Sequence, residues 1–146
     1  MDFMKEALRE AKKSLRSGDV PIGCVVVKDD QIIGRGFNQK ELKKNPSRHA
    51  EIIAIEKACK TLNTWHLIDC VLYTTCEPCL MCSGAILQAR ISKVIYATSN
   101  EKFGCAESIT NILSNPKNNH KVETIRGSHG EDSKELLRSF FESKRG

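Results

Sequence analysis

The chain has 146 residues, 40% of them hydrophobic and 28% charged, with a formal net charge of +5. That length suits one domain with a sizeable core, the composition is that of a soluble globular protein, and no apolar run approaches the roughly 18 residues needed to span a membrane. The charge is compatible with a polyanionic partner, while an aromatic content of only 5% argues against a surface built mainly on base stacking.

In chain order, Phe3, Met4, Ala7, Leu8, Ala11 and Leu15 recur at helical spacing, and Gly18 is a natural stop. Ile22 to Val27 and Ile32 to Phe37 read as a hairpin, the second strand weakened by Gly34 and Gly36. A polar loop, Asn38 to Arg48, leads to a mostly buried helix carrying Ile52, Ile53, Ile55, Ala58, Cys59 and Leu62. Val71 to Thr75 is a strand, Cys79 to Arg90 a helix, Val94 to Ala97 a strand, Ser108 to Leu113 a short helix and Lys121 to Ile125 a strand. Leu136, Leu137, Phe140 and Phe141 mark a last amphipathic helix. Strand–helix–strand units imply parallel pairing, so the expected class is α/β: a three-layer α/β/α sandwich around a five-stranded mixed sheet, in a single domain over residues 1–146.

Seven cysteines, an odd number, sit mostly in apolar segments. This pattern fits a reduced, cytoplasmic interior plus a metal site better than a disulfide framework. The N-terminus mixes acidic and basic residues and is expected to be neither a signal nor a transit peptide.

His49-Ala50-Glu51 and, downstream, Pro78-Cys79-Leu80-Met81-Cys82 carry the chemistry. His49, Cys79 and Cys82 supply three zinc ligands, one fewer than a closed structural site, which leaves Glu51 as a base. The spacing is that of the zinc-dependent nucleobase deaminase signature. Cys79 and Cys82 share a helix face, with Pro78 in the first turn and the positive helix end favouring thiolate. His49 and Glu51, two apart, can meet at one point only near a helix start, and Asn45, Pro46 and Ser47 supply the start signal. Cys76 extends the run to C-x2-C-x2-C, but Ile86 stands at the fourth position, where an iron–sulfur set requires Cys, so Cys76 reads as packing.

Along nearly its whole length the chain resembles the bacterial TadA-type tRNA adenosine deaminases. The residues that carry this are Val20-Pro21-Ile22-Gly23, Asn38, His49-Ala50-Glu51-Ile52, Leu72-Tyr73, Glu77 to Ala85, Ala89-Arg90-Ile91, Asn119-His120-Lys121-Val122, and Phe140-Phe141 with Arg145. The resemblance implies a cytidine deaminase-like fold, one zinc ion per chain on His49, Cys79 and Cys82, and proton shuttling by Glu51. It also implies a homodimer acting on a tRNA anticodon stem-loop, converting adenosine to inosine at the wobble position, with no organic cofactor and no membrane. By the same resemblance Asn38 meets the target base, Arg48, Ala50 and Asn100 belong to the substrate site, and Asn119, His120, Phe141 and Arg145 face the RNA. The chain departs from the family pattern at Ala97, usually Gly; at Arg48, where a small residue is common; at Asn100, where Asp is frequent; and in its short tail. The residues alone also admit a guanine-, cytosine- or cytidine-type deaminase of free bases or nucleosides. Two non-enzymes, a zinc-stabilised RNA-binding subunit and a zinc-folded interaction module, have no use for Glu51 and no need of zinc beside a strong core, respectively.

Overall fold

Helix α1 (Phe3–Lys13) begins at Asp2, whose carboxylate accepts the Lys5 N–H at 3.1 Å and so satisfies a first-turn donor that has no partner within the helix. Its apolar positions fall on one side, and Met4, Ala7, Leu8 and Ala11 are buried. The chain then tightens into a 3₁₀ turn (Ser14–Ser17) and stops at Gly18, whose φ of 74° is a conformation glycine adopts without steric cost. These elements belong to a computed structural model that describes residues 1–145.

Strands β1 (Gly23–Lys28) and β2 (Gln31–Phe37) form the expected hairpin. They are followed by α2 (Lys40–Lys43), α3 (Ala50–Leu62), β3 (Val71–Cys76), α4 (Leu80–Gln88), β4 (Lys93–Thr98), β5 (Glu123–Arg126) and α5 (Gly130–Arg145). The five strands lie in the order β2-β1-β3-β4-β5. β1 runs antiparallel to β2 and β3, whereas β3, β4 and β5 are parallel. The mixed sheet expected from the helix–strand alternation is the one observed.

The two-residue period of the strands sorts side chains into two cores. Cys24, Val26, Leu72, Val94 and Tyr96 face Ala50, Ala54 and Ala58 of α3 and Ile86 of α4. Val25, Val27 and Ala97 face Met4 and Ala7 of α1, and α5 packs on that same face against β3 and β4. Gly34 and Gly36, which looked like weak points, let α3 lie close against β2. A Cβ at either position would come within 2.3 Å of an α3 carbonyl, that of Ala54 or Ala50.

Three local expectations are corrected. The loop from Asn38 to Arg48 contains a helical turn, α2, because the buried Asp19 carboxylate accepts the Glu41 N–H at 2.6 Å and the Leu42 N–H at 3.2 Å. That is a cap supplied from a residue distant in sequence, which local pattern cannot show. Pro78 stands just before the N-cap residue Cys79, not in the first turn. Ser108 to Leu113 forms no helix; turns and irregular chain connect β4 to β5, and Ala106, Leu113 and Val122 fill the larger core from that connection. No helix is long and apolar enough to cross a membrane among the described residues.

Candidate active site

Two helix starts meet at one point. His49 is the N-cap of α3, held extended at φ −82° and ψ 153°, and Cys79 is the N-cap of α4, at φ −77° and ψ 179°. Glu51 occupies the second residue of α3 and Cys82 the third of α4. An N-cap residue leaves the helical path, and this lets His49 and Glu51, two apart, converge. The ligand atoms of His49, Cys79 and Cys82 all lie within 4.8 Å of one another. The Nδ1 atom of His49 is 3.6 Å from the Cys79 sulfur and 3.4 Å from that of Cys82. A tetrahedral ion about 2.3 Å from sulfur and about 2.0–2.1 Å from nitrogen requires a sulfur–nitrogen edge of about 3.5 Å. The donor set therefore fits zinc in both chemistry and spacing.

The electrostatics match that purpose. The Cys82 thiol donates to Cys79 and, with His49 adding to it, brings Cys79 down to about 4; the same shared bond, and then burial, pushes Cys82 up. His49 is raised, first by its bond to Cys79. The protons shared here are those a divalent cation displaces. Burial pushes Glu51 up to about 7, the range suited to a group that both takes and gives protons at neutral pH. Burial also drives Cys76 up to about 12, and its sulfur is outside the triad; it closes β3 opposite Thr98.

Asn38, directly after β2, is buried beside this point. Its Oδ1 accepts the Ala50 N–H at 2.9 Å, and its own carbonyl accepts the Ser14 hydroxyl at 2.9 Å. The side-chain carbonyl is thereby committed to the start of α3, which leaves the amide NH₂ to donate elsewhere. Arg48 forks onto Glu56 at 2.9 and 2.7 Å, along the outer side of α3. His120 bonds the Ile91 carbonyl at 2.7 Å, beyond the C-terminal end of α4, so it and its neighbour Asn119 are not brought to the triad. Phe141 and Arg145 are exposed on α5, in the other helix layer.

Sequence reasoning passed over Glu77. This carboxylate is 2% exposed and gathers the segment after β4. It accepts the N–H groups of Asn100, Ala106, Glu107 and Ser108 at 2.7–3.0 Å, and the Ser108 hydroxyl as well. Burial works to raise it, but these bonds, led by that of Ser108, leave it below the usual carboxylate range. Asn100 is fixed in the same knot, its Oδ1 accepting the Phe103 N–H at 3.2 Å. Where a helix was expected at Ser108 the chain forms a loop whose backbone donors converge on Glu77. The local signal was a glutamate directly before Pro78-Cys79 with a glycine, Gly104, in the loop. A Cβ on Gly104 would lie 2.3 Å from the Glu77 carboxyl carbon. Gly104→Ala is expected to lower stability by about 1–3 kcal/mol, the usual cost of overpacking a tight site, read as a lower denaturant midpoint, with zinc content unchanged.

The sequence matches the MafB19-like deaminase family over residues 1–145. A Streptococcus pyogenes protein named tRNA-specific adenosine deaminase is 48% identical over 143 residues, 98% of this chain and 90% of that relative. This chain belongs to the TadA-type tRNA-specific adenosine deaminases. A solved structure from studies of A-to-I editing by tRNA:A34 deaminases at the wobble position of transfer RNA superposes on this deaminase with a TM-score of 0.88 at 37% identity, covering 92% of this chain and 98% of that one. The guanine deaminase of Bacillus subtilis superposes less well, at a TM-score of 0.64 and 33% identity, covering 99% and 92%.

Proposed function

We propose that the deaminase converts adenosine to inosine, by hydrolysis, at the wobble position of a tRNA anticodon, with one zinc ion held by His49, Cys79 and Cys82. The observation that carries this reading is the buried Glu51 carboxyl on the same helix start as His49, in a chain similar over 98% of its length to a tRNA-specific adenosine deaminase. Zinc, when bound, supplies the Lewis acidity that makes water reactive near neutral pH. Glu51 takes a proton from the attacking water and delivers it to N1 of adenine, so that C6 accepts the hydroxide. Glu51 then takes the proton of the new C6 hydroxyl and passes it to the exocyclic amino group, so that the C6 carbonyl forms as ammonia leaves, and the balance is adenosine plus water to inosine plus ammonia. The Asn38 amide, oriented through Ala50, donates to the target base. An anticodon loop presents that base unstacked at low cost.

The same reading carries a homodimer, for which exposed Leu80 and Met81 on the first turn of α4 and exposed Phe103 offer apolar surface. It also places the protein in the cytoplasm, supported by seven cysteines with free thiols. Likeness to a guanine deaminase favours a second substrate class. One assay separates the two: zinc-loaded protein with total tRNA, free adenosine, guanine or cytidine. Inosine in tRNA with little turnover of the small molecules is the expected result. Faster turnover of guanine or cytidine replaces the tRNA reading.

A further inference from the structure

Helix α1 carries a row of cations on its outer side, of which all but Arg9 lack an ion pair among the described residues. Lys5, Arg9, Lys12 and Arg16 are exposed and recur at spacings of four, three and four, so they line one face of the helix and its 3₁₀ extension. The acidic residues within α1 are Glu6 and Glu10, and both are committed elsewhere. Glu6 binds Arg9 and Arg35, and Glu10 binds Lys13 and Arg35. The facing helix, α5, adds carboxylates to the groove between the two, which is about 470 Å³ and open to solvent. These too are spoken for: Asp132 by His129, and Glu135 by Arg138. Lys5, Lys12 and Arg16 form no ion pair among the described residues.

This face leads toward the catalytic site. Ser14, in the 3₁₀ turn with Arg16, donates to the Asn38 carbonyl, and Asn38 in turn holds Ala50 between His49 and Glu51. Two hydrogen bonds thus connect the end of α1 to the start of α3. The C-terminal end of α5 arrives at the same place, with Lys144 Nζ 3.1 Å from where a Cβ on Gly18 would stand. From Lys5 to Arg16 the face runs roughly 16 Å at a helical rise of about 1.5 Å per residue.

We propose that the outer face of α1 binds the phosphate backbone of the RNA stem flanking the target nucleotide, through Lys5, Lys12 and Arg16. The proposal rests on the tRNA reading above and adds a surface that neither the catalytic motif nor the basic loop at Lys40 to Arg48 supplies. Charge complementarity selects the partner: repeated cations whose neighbouring carboxylates are already paired suit a repeating phosphate chain. Such contacts position a nucleic acid and do not read its sequence.

The test compares the zinc-loaded parent with the triple variant Lys5→Ala, Lys12→Ala, Arg16→Ala. Alanine is the strongest helix former, so exposed helix positions tolerate it. A control variant, Lys28→Ala, Lys93→Ala, removes positive charge at the sheet end away from the site. Binding of an anticodon stem-loop is measured against salt, and deamination against stem-loop concentration. Each lost phosphate contact flattens the log affinity against log salt by about 0.7 to 0.9, so the triple variant loses about 2 in slope and about tenfold or more in affinity. Its KM rises while kcat holds, and the control keeps the parent's slope. A triple variant with the parent's slope and KM, or a control that loses as much, overturns the proposal. A parent that binds the stem-loop without deaminating it removes the tRNA reaction instead, and the slope comparison still decides the role of α1.

Discussion

Glu51→Gln lowers deamination by about 10⁴-fold or more, with zinc content and thermal unfolding like those of the parent. Loss of a single general acid–base group commonly costs about 10² to 10⁴-fold. Here one carboxyl serves the attacking water, the ring nitrogen and the departing amine, so the effect reaches the upper end. The amide keeps the volume and planarity of the buried carboxyl but cannot cycle a proton. It also leaves no charge to desolvate at a position 4% exposed, which is why stability holds. Burial pushes Glu51 up to about 7, so the parent has a group matched to neutral proton exchange and the variant has none. Single-turnover measurement with saturating stem-loop, beside metal analysis, checks the result. Turnover near that of the parent with intact zinc would remove Glu51 from the mechanism.

Cys79→Ala and Cys82→Ala each lose the zinc ion, and activity with it, while Cys76→Ala keeps zinc at the parent's level. Each of the first two changes leaves His49 and one sulfur from a set of three ligand atoms within 4.8 Å. Two ligands cannot hold an ion that takes four in its closed sites and three plus water in its catalytic ones. Cys76, buried at the end of β3, contributes packing. Its loss costs stability of the kind expected for a small cavity. Metal content of the three purified variants decides it, and a zinc-free Cys76→Ala protein would show that the ligand set is wrong.

Much of this site was legible because its chemistry is local. H-A-E and P-C-L-M-C each lie within five residues, and one His and two Cys with a carboxylate at those spacings have few other uses. The sheet was legible for a related reason. Cys24, Val26 and Val25, Val27 alternate between two cores, and the period of the helices differs from the period of the strands. What failed to show were contacts between residues far apart in the chain. Asp19 starts α2 from 22 residues away, and Glu77 binds Ser108 from a distance of 31. A buried carboxylate surrounded by backbone donors has the same letter as one on the surface.

The sequence by itself pointed to the α/β class, to His49, Cys79 and Cys82 as one group, and to Glu51 beside them. These depend on side-chain type and short-range periodicity, which survive without coordinates. Only the tertiary structure decided which residues reach the site. It tied Asn38 to Ala50, turned Arg48 onto Glu56 and held His120 at the Ile91 carbonyl, beyond the far end of α4. It also replaced the expected helix at Ser108 by a loop around Glu77 and left Lys5, Lys12 and Arg16 without ion pairs among the described residues. The physical reason is common to all of these. Hydrogen bonds and ion pairs are set by distance in space, and the path that brings the partners together is laid down by the packing of the whole sheet and its two helix layers.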